Sequence, residues 1–146
     1  GEEMGWRGFL HDRLSGRARS SLNAIIVGIV WALWHFPAFR FADFRNGLGW
    51  APFVALYPIS TILIAFIMGH LWRWSNGSLF VAIFFHAVLN TTAVNLMREN
   101  WWDFGGRTAL QIYAIILAIF ALTACAAELL SRTAFHKPAA GSHGTT

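Results

Sequence analysis

The stretch LNAIIVGIVWALWHFPAF, Leu22 to Phe39, runs for eighteen residues with a single ionisable side chain, the imidazole of His35. Its length is close to the ~20 apolar residues that cross a bilayer core as a helix. Three more runs of the same kind follow: Trp50 to Leu71, Ser78 to Met97 and Ala109 to Leu130. Four such segments predict an all-α, polytopic transmembrane helix bundle. The residues before Leu22, from Gly1 to Leu14, read as the tail of a further, upstream helix.

Composition points the same way. Hydrophobic residues make up 56% of the 146 and charged residues 12%, whereas soluble domains hold roughly 45–50% and 25%. Eight Trp and thirteen Phe suit aromatic belts at two membrane interfaces. The length allows one domain, expected over 1–135, with a polar 136–146 tail of Pro, Ala, Gly and Ser that is expected to be disordered. A formal charge of +4 and a pI near 10.2 do not indicate a nucleic-acid partner, because the arginines sit at segment ends rather than on a stripe. Cys125 is the single cysteine. It excludes an internal disulfide and a cysteine metal cage, and its apolar run predicts an inert packing residue.

The breaks between runs carry turn chemistry. Asn76-Gly77 reads as a turn with Ser78 as the following N-cap. Pro37 should end or bend the first run just after His35, and Pro58 should kink the second. The positive-inside rule sets Arg7, Arg13, Arg17, Arg19, Arg73, Arg132 and Lys137 against Arg40, Arg45, Arg98 and Arg107. The larger set predicts that both ends of the chain face the cytoplasm. Gly1 in place of Met and the absence of a leader before the first run are read as the C-terminal part of a longer membrane protein.

Ionisable groups in hydrocarbon cost roughly 2.5 kcal/mol or more, so those present call for explanation. At about 1.5 Å per residue, Glu2 lies roughly 16 Å above the expected cytoplasmic surface, His35 about 21 Å, His86 about 12 Å and Asn90 about 18 Å. Three distant pieces of sequence thus bring polar groups to one depth. Glu3 and Arg7 are four apart with the acid first, the favourable order for a helical ion pair. His86 and Asn90 are also four apart and share a face, as do Trp31 and His35. Glu2 projects about 100° from Glu3 and is open to another partner.

At these residues the chain resembles the CAAX-protease and bacteriocin-processing family of intramembrane proteases, also called the Abi family. The family's Glu-Glu-x-x-x-Arg matches Glu2, Glu3 and Arg7. Its aromatic residue four before a His matches Trp31 and His35, with Trp where Phe is more usual. Its His-x-x-x-Asn matches His86 and Asn90, and the resemblance spans residues 1 to about 95. It implies an endopeptidase that cuts a protein or peptide substrate, prenylated in some relatives, at the membrane. Glu2 would be the base that activates water with His35, His86 and Asn90 would stabilise the oxyanion, and Glu3 with Arg7 would orient Glu2.

A metalloprotease version uses the same groups, with Glu2, His35 and His86 as zinc ligands; the expectation favours no cofactor. Membrane lipids are the expected surroundings, in a bacterial cytoplasmic membrane. Two rivals come from other classes: a non-catalytic immunity or scaffold protein of the same fold, and a haem carrier with His35 and His86 as axial ligands. Plain structural readings also exist, such as an interfacial salt bridge for Glu3 and Arg7 or interhelical glue for His86 and Asn90. His70 is expected at an interface, and His11, His136 and His143 in solvent.

Overall fold

A computed structural model describes residues 1–15, 20–41, 45, 48–98 and 108–135. Among them the chain is helical and contains no strand, as the four apolar runs predict. The first run of helix is α1 (Glu2–Gly5), a π-helical segment (Trp6–His11) and α2 (Asp12–Ser15), which follow one another without a break. Then come α3 (Ser20–His35), a 3₁₀ turn (Phe36–Arg40), α4 (Trp50–Trp74), α5 (Leu79–Arg98) and α6 (Ala109–Phe135).

Among the described residues three segments are long and apolar enough to cross a membrane: Ser21–Arg40, Trp50–Trp74 and Ala109–Thr133. The fourth expected span, Ser78 to Met97, forms the 20-residue helix α5, but its apolar part is the shorter Leu79–Ala93. Asn90, Thr91, Thr92 and Asn95 lower the hydropathy of its second half. The chain is an integral membrane helix bundle with one span less apolar than its sequence length suggests. The 136–146 tail lies outside the described residues, as do His136 and His143.

Local chemistry sets the boundaries. Pro37 occupies the first turn of the 3₁₀ segment that ends α3 just after His35, where a missing N–H costs nothing. Pro58 sits inside α4, which runs on through it. Asn76 and Gly77 take positive φ of 52° and 77° and turn the chain after α4. Ser78 Oγ then accepts from Val81 N at 3.5 Å, the expected N-cap.

Helix α4 is the centre of the bundle and packs on α3, α5, α6 and the π-helical segment. Its closest approach is to α3: a Cβ built on Gly28 would stand 2.5 Å from Ile62 Cα, so the two backbones touch. Small residues at helix contacts permit this approach in membranes, where packing replaces the hydrophobic effect as the driving force. Trp31, Met68 and Ala82 form one core, with Trp6 and Trp72 against it. Phe39, Leu48 and Phe53 form a second, towards α6. Outward residues such as Leu33, Phe80, Phe84, Ile119 and Leu122 are exposed, as lipid-facing positions should be.

Three local expectations change. His11 is buried, with its Cε1 so near Gly69 that an added Cβ there would meet it at 3.1 Å. The glycine opens the space and the Trp72 ring closes it at 6.4 Å. His70, expected at an interface, is buried within the protein. It joins α4 to α6 through Ser131 Oγ at 2.7 Å from Nδ1 and Glu128 Oε2 at 3.4 Å from Nε2. Cys125 is exposed on α6 rather than packed.

Candidate active site

The first site element is a buried carboxylate with two partners. Arg7 Nη1 donates to both oxygens of Glu3 at 2.9 Å, the pairing that four-residue spacing on a helix predicts. Glu3 is 3% exposed and Arg7 fully buried. His86 Nδ1 lies 2.6 Å from Glu3 Oε1, carried there by the packing of α1 on α5. An ionised carboxylate only accepts, so the Nδ1 proton is on the histidine. His86 therefore points its Nε2 away from Glu3, as an acceptor when neutral and as a donor in the imidazolium. Arg7 also lies over the Trp31 ring, 5.2 Å from its centroid.

The second element is Glu2, which is partly exposed. Its Oε2 accepts from Trp6 Nε1 at 3.2 Å and from Trp31 Nε1 at 3.1 Å. Its Oε1 faces His35 Nε2 at 3.9 Å. His35 Nδ1 is 3.0 Å from the Trp31 carbonyl, and a carbonyl can only accept, so Nδ1 carries a proton here too. The separation between Nε2 and Oε1 is too long for a direct hydrogen bond and suits a single bridging water.

A cavity of about 260 Å³ opens beside both carboxylates, lined by Gly1, Glu2, Glu3, Ile83, His86, Ala87 and Asn90. Asn90 stands one turn beyond His86 on α5, and its side chain is exposed at this wall. Glu2, Glu3, Arg7, Trp31, His35 and His86 are thus brought together, and Asn90 borders the same space.

Two features of this cluster escape a reading by spacing alone. Glu3 holds His86 rather than Glu2, and Trp31 meets Glu2, Arg7 and both histidines: its ring centroid lies 5.1 Å from that of His86 and 6.2 Å from that of His35. Trp6 is a further unforeseen contact to Glu2. Its place four residues after Glu2 was the available signal, since positions four apart on a helix meet. The π-helical turn that begins at Trp6 is a form found mostly as a local bulge within α-helices, frequently at functional sites.

A family model described as type II CAAX prenyl endopeptidase Rce1-like matches residues 1–92, the stretch that holds every residue above. The chain belongs to this family. Among curated proteins it is similar to CAAX prenyl protease 2 of Methanococcus maripaludis, at 31% identity over 99 residues, covering 61% of this chain and 34% of that protein. It is also similar to lysostaphin resistance protein A of Staphylococcus haemolyticus, at 25% identity over 118 residues, covering 80% of this chain and 30% of the relative. The protein of that name from Staphylococcus epidermidis matches at 25% over 118 residues, 80% and 28%. The chain spans about a third of the length of these relatives. No solved structure is a significant match.

For this Rce1-like chain the zinc alternative needs three donors around one point. Among the described residues no group of three His, Cys, Asp or Glu side chains stands close enough to hold a metal ion. Glu2, His35 and His86 as arranged do not fit a three-ligand zinc site.

Proposed function

We propose that this chain carries the catalytic groups of an intramembrane endopeptidase that hydrolyses a peptide bond near the membrane surface in a protein or peptide substrate, of the prenyl-protein or bacteriocin-processing kind. The observation that carries the reading is the 3.9 Å separation of Glu2 Oε1 and His35 Nε2, with Glu2 also lining a cavity that reaches His86 and Asn90. A water between the first pair can give a proton to Glu2 while His35 orients it, and general-base help of this kind is worth roughly 10²–10⁴ in rate. The attacked carbonyl becomes an oxyanion that needs donors. Asn90 supplies an amide N–H. His86, with Nδ1 held by the Glu3 carboxylate, supplies Nε2–H when both ring nitrogens carry protons. When nitrogen leaves, protonated Glu2 returns the proton.

The chemistry is of the glutamate type, with both ends of the chain at the cytoplasmic face of a bacterial membrane and lipid as its surroundings. The lysostaphin-resistance relatives favour a second reading, a membrane protein of this fold whose role is resistance or scaffolding without hydrolysis. One experiment separates them. The full-length protein in lipid and its Glu2→Gln variant are offered a peptide panel with and without a C-terminal prenyl group. Cleavage by the wild type alone supports the protease; cleavage by neither supports the scaffold.

A further inference from the structure

Two indole N–H groups from separate parts of the chain converge on one oxygen of Glu2. Trp6 opens the π-helical segment and donates to Oε2 at 3.2 Å. Trp31 sits in α3 and donates to the same Oε2 at 3.1 Å. An indole nitrogen is only a donor and an ionised carboxylate only an acceptor, so the direction of both bonds is fixed. The terminal torsion of a glutamate is broad and two-fold, so its oxygens interchange readily unless something holds one of them. The Glu2 side chain is 37% exposed, and packing alone leaves that torsion loose.

Both indoles are themselves held. Trp31 is 5% exposed, with the His86 ring in a T-shaped contact with its own and the Arg7 guanidinium over its face. Trp6 meets Trp34 edge-on at 6.1 Å between centroids. The acceptor oxygen is therefore gripped from two sides by rings that cannot easily follow it if it turns.

We infer that Trp31 and Trp6 are positioning residues that clamp Glu2 through Oε2, so that Oε1 is the atom presented to water beside His35. The inference rests on Glu2 being the base, as proposed above. Phenylalanine, the more usual residue of the resembling family at the Trp31 position, offers the same apolar ring without a donor. In this chain the indole at that position adds a direct bond to Glu2.

The test uses the full-length protein in lipid with Trp31→Phe, Trp6→Phe, the double variant and Glu2→Gln. Loss of a hydrogen bond to a charged group should lower kcat roughly 5- to 50-fold in Trp31→Phe, with KM unchanged, and further in the double variant. In ¹⁵N-indole spectra, the two resonances that vanish in the Phe variants should be the ones that shift in Glu2→Gln, because that swap replaces a charged acceptor with a neutral one. This spectrum needs no tryptophan variant to be active. Full activity in Glu2→Gln overturns the base assignment itself. An inactive Glu2→Gln together with Phe variants of wild-type kcat, a rise in KM alone, or indole resonances indifferent to Glu2→Gln overturns the clamp and leaves the base in place.

Discussion

His86 Nδ1 stands 2.6 Å from Glu3 Oε1, and this contact ties the first helix to α5 across 83 residues of sequence. It makes Glu3 the junction of two roles. Through Arg7 it neutralises a buried cation, and through His86 it fixes the tautomer of a ring that borders the cavity.

Glu3→Gln should therefore injure stability and turnover together. Removing one partner of a buried pair leaves an uncompensated charge and costs about 3–5 kcal/mol. The double variant Glu3→Gln/Arg7→Met removes both charges and should regain much of the thermal midpoint while kcat stays low, because His86 still lacks its carboxylate. Recovery of kcat along with stability would show that Glu3 serves packing alone.

Glu2→Gln should lose activity without losing the fold. Glu2 is partly exposed and the amide keeps its shape, so the midpoint should stay within a degree or two. The amide has no basic lone pair for the water proton, and the expected fall is roughly 10²- to 10⁴-fold. A variant that keeps more than about a tenth of the wild-type rate would remove Glu2 from the base role.

His86→Ala and Asn90→Ala should each reduce kcat by roughly 10²–10³ with little change in KM, because an oxyanion donor acts in the transition state. Asn90 is exposed, so its variant should also keep its midpoint. If KM rises and kcat holds, these residues bind substrate instead. The double variant should lose less than the product of the single losses, since both act on one oxygen.

Much of this site was legible because its signals are short-range or set by depth. The Glu3–Arg7 pair follows from four-residue spacing, and the common depth of Glu2, His35 and His86 follows from helix rise. The Glu3–His86 bond was not legible, because it depends on how α1 meets α5, which no local spacing encodes. The partners of His11 and His70 were not legible either: His11, expected in solvent, is buried where Gly69 makes room for it, and Ser131 on α6 receives His70. Of the fold, helix positions were readable from hydropathy. The polar second half of α5 shortens its apolar part to Leu79–Ala93, which segment length alone does not reveal, and the π-helical turn leaves no mark in an apolar pattern.

The α3–α4 contact can be tested through Gly28. Any side chain there meets Ile62 backbone, with Cα at 2.5 Å from the added Cβ, and backbone cannot step aside as a flexible side chain would. Gly28→Ala should destabilise by about 1–3 kcal/mol, the usual cost of overpacking. Gly8→Ala is the control, as a Cβ at Gly8 meets nothing within 4 Å. Equal midpoints for the two variants would contradict the close packing of α3 on α4.

Metal dependence is the remaining division between two mechanisms that use overlapping residues. In the glutamate reading, 1,10-phenanthroline should leave cleavage intact, and the purified full-length protein should carry well under one zinc per chain. The ground is donor geometry. The Glu3 contact on Nδ1 leaves His86 Nε2 open as a donor atom, but Glu3 is shared with Arg7 and no three acidic, cysteine or histidine side chains among the described residues stand close enough to hold a metal ion. A zinc site needs three protein ligands at about 2.0–2.2 Å around an open position, so binding would have to pull α1, α3 and α5 into a new arrangement. Stoichiometric zinc, with chelator inhibition reversed by added Zn²⁺, would establish that rearrangement and make Glu2, His35 and His86 ligands. A Soret band in the purified protein would instead revive the paired histidines as haem ligands. With neither metal present and cleavage still abolished by Glu2→Gln, the carboxylate is left as the group that takes the proton from water.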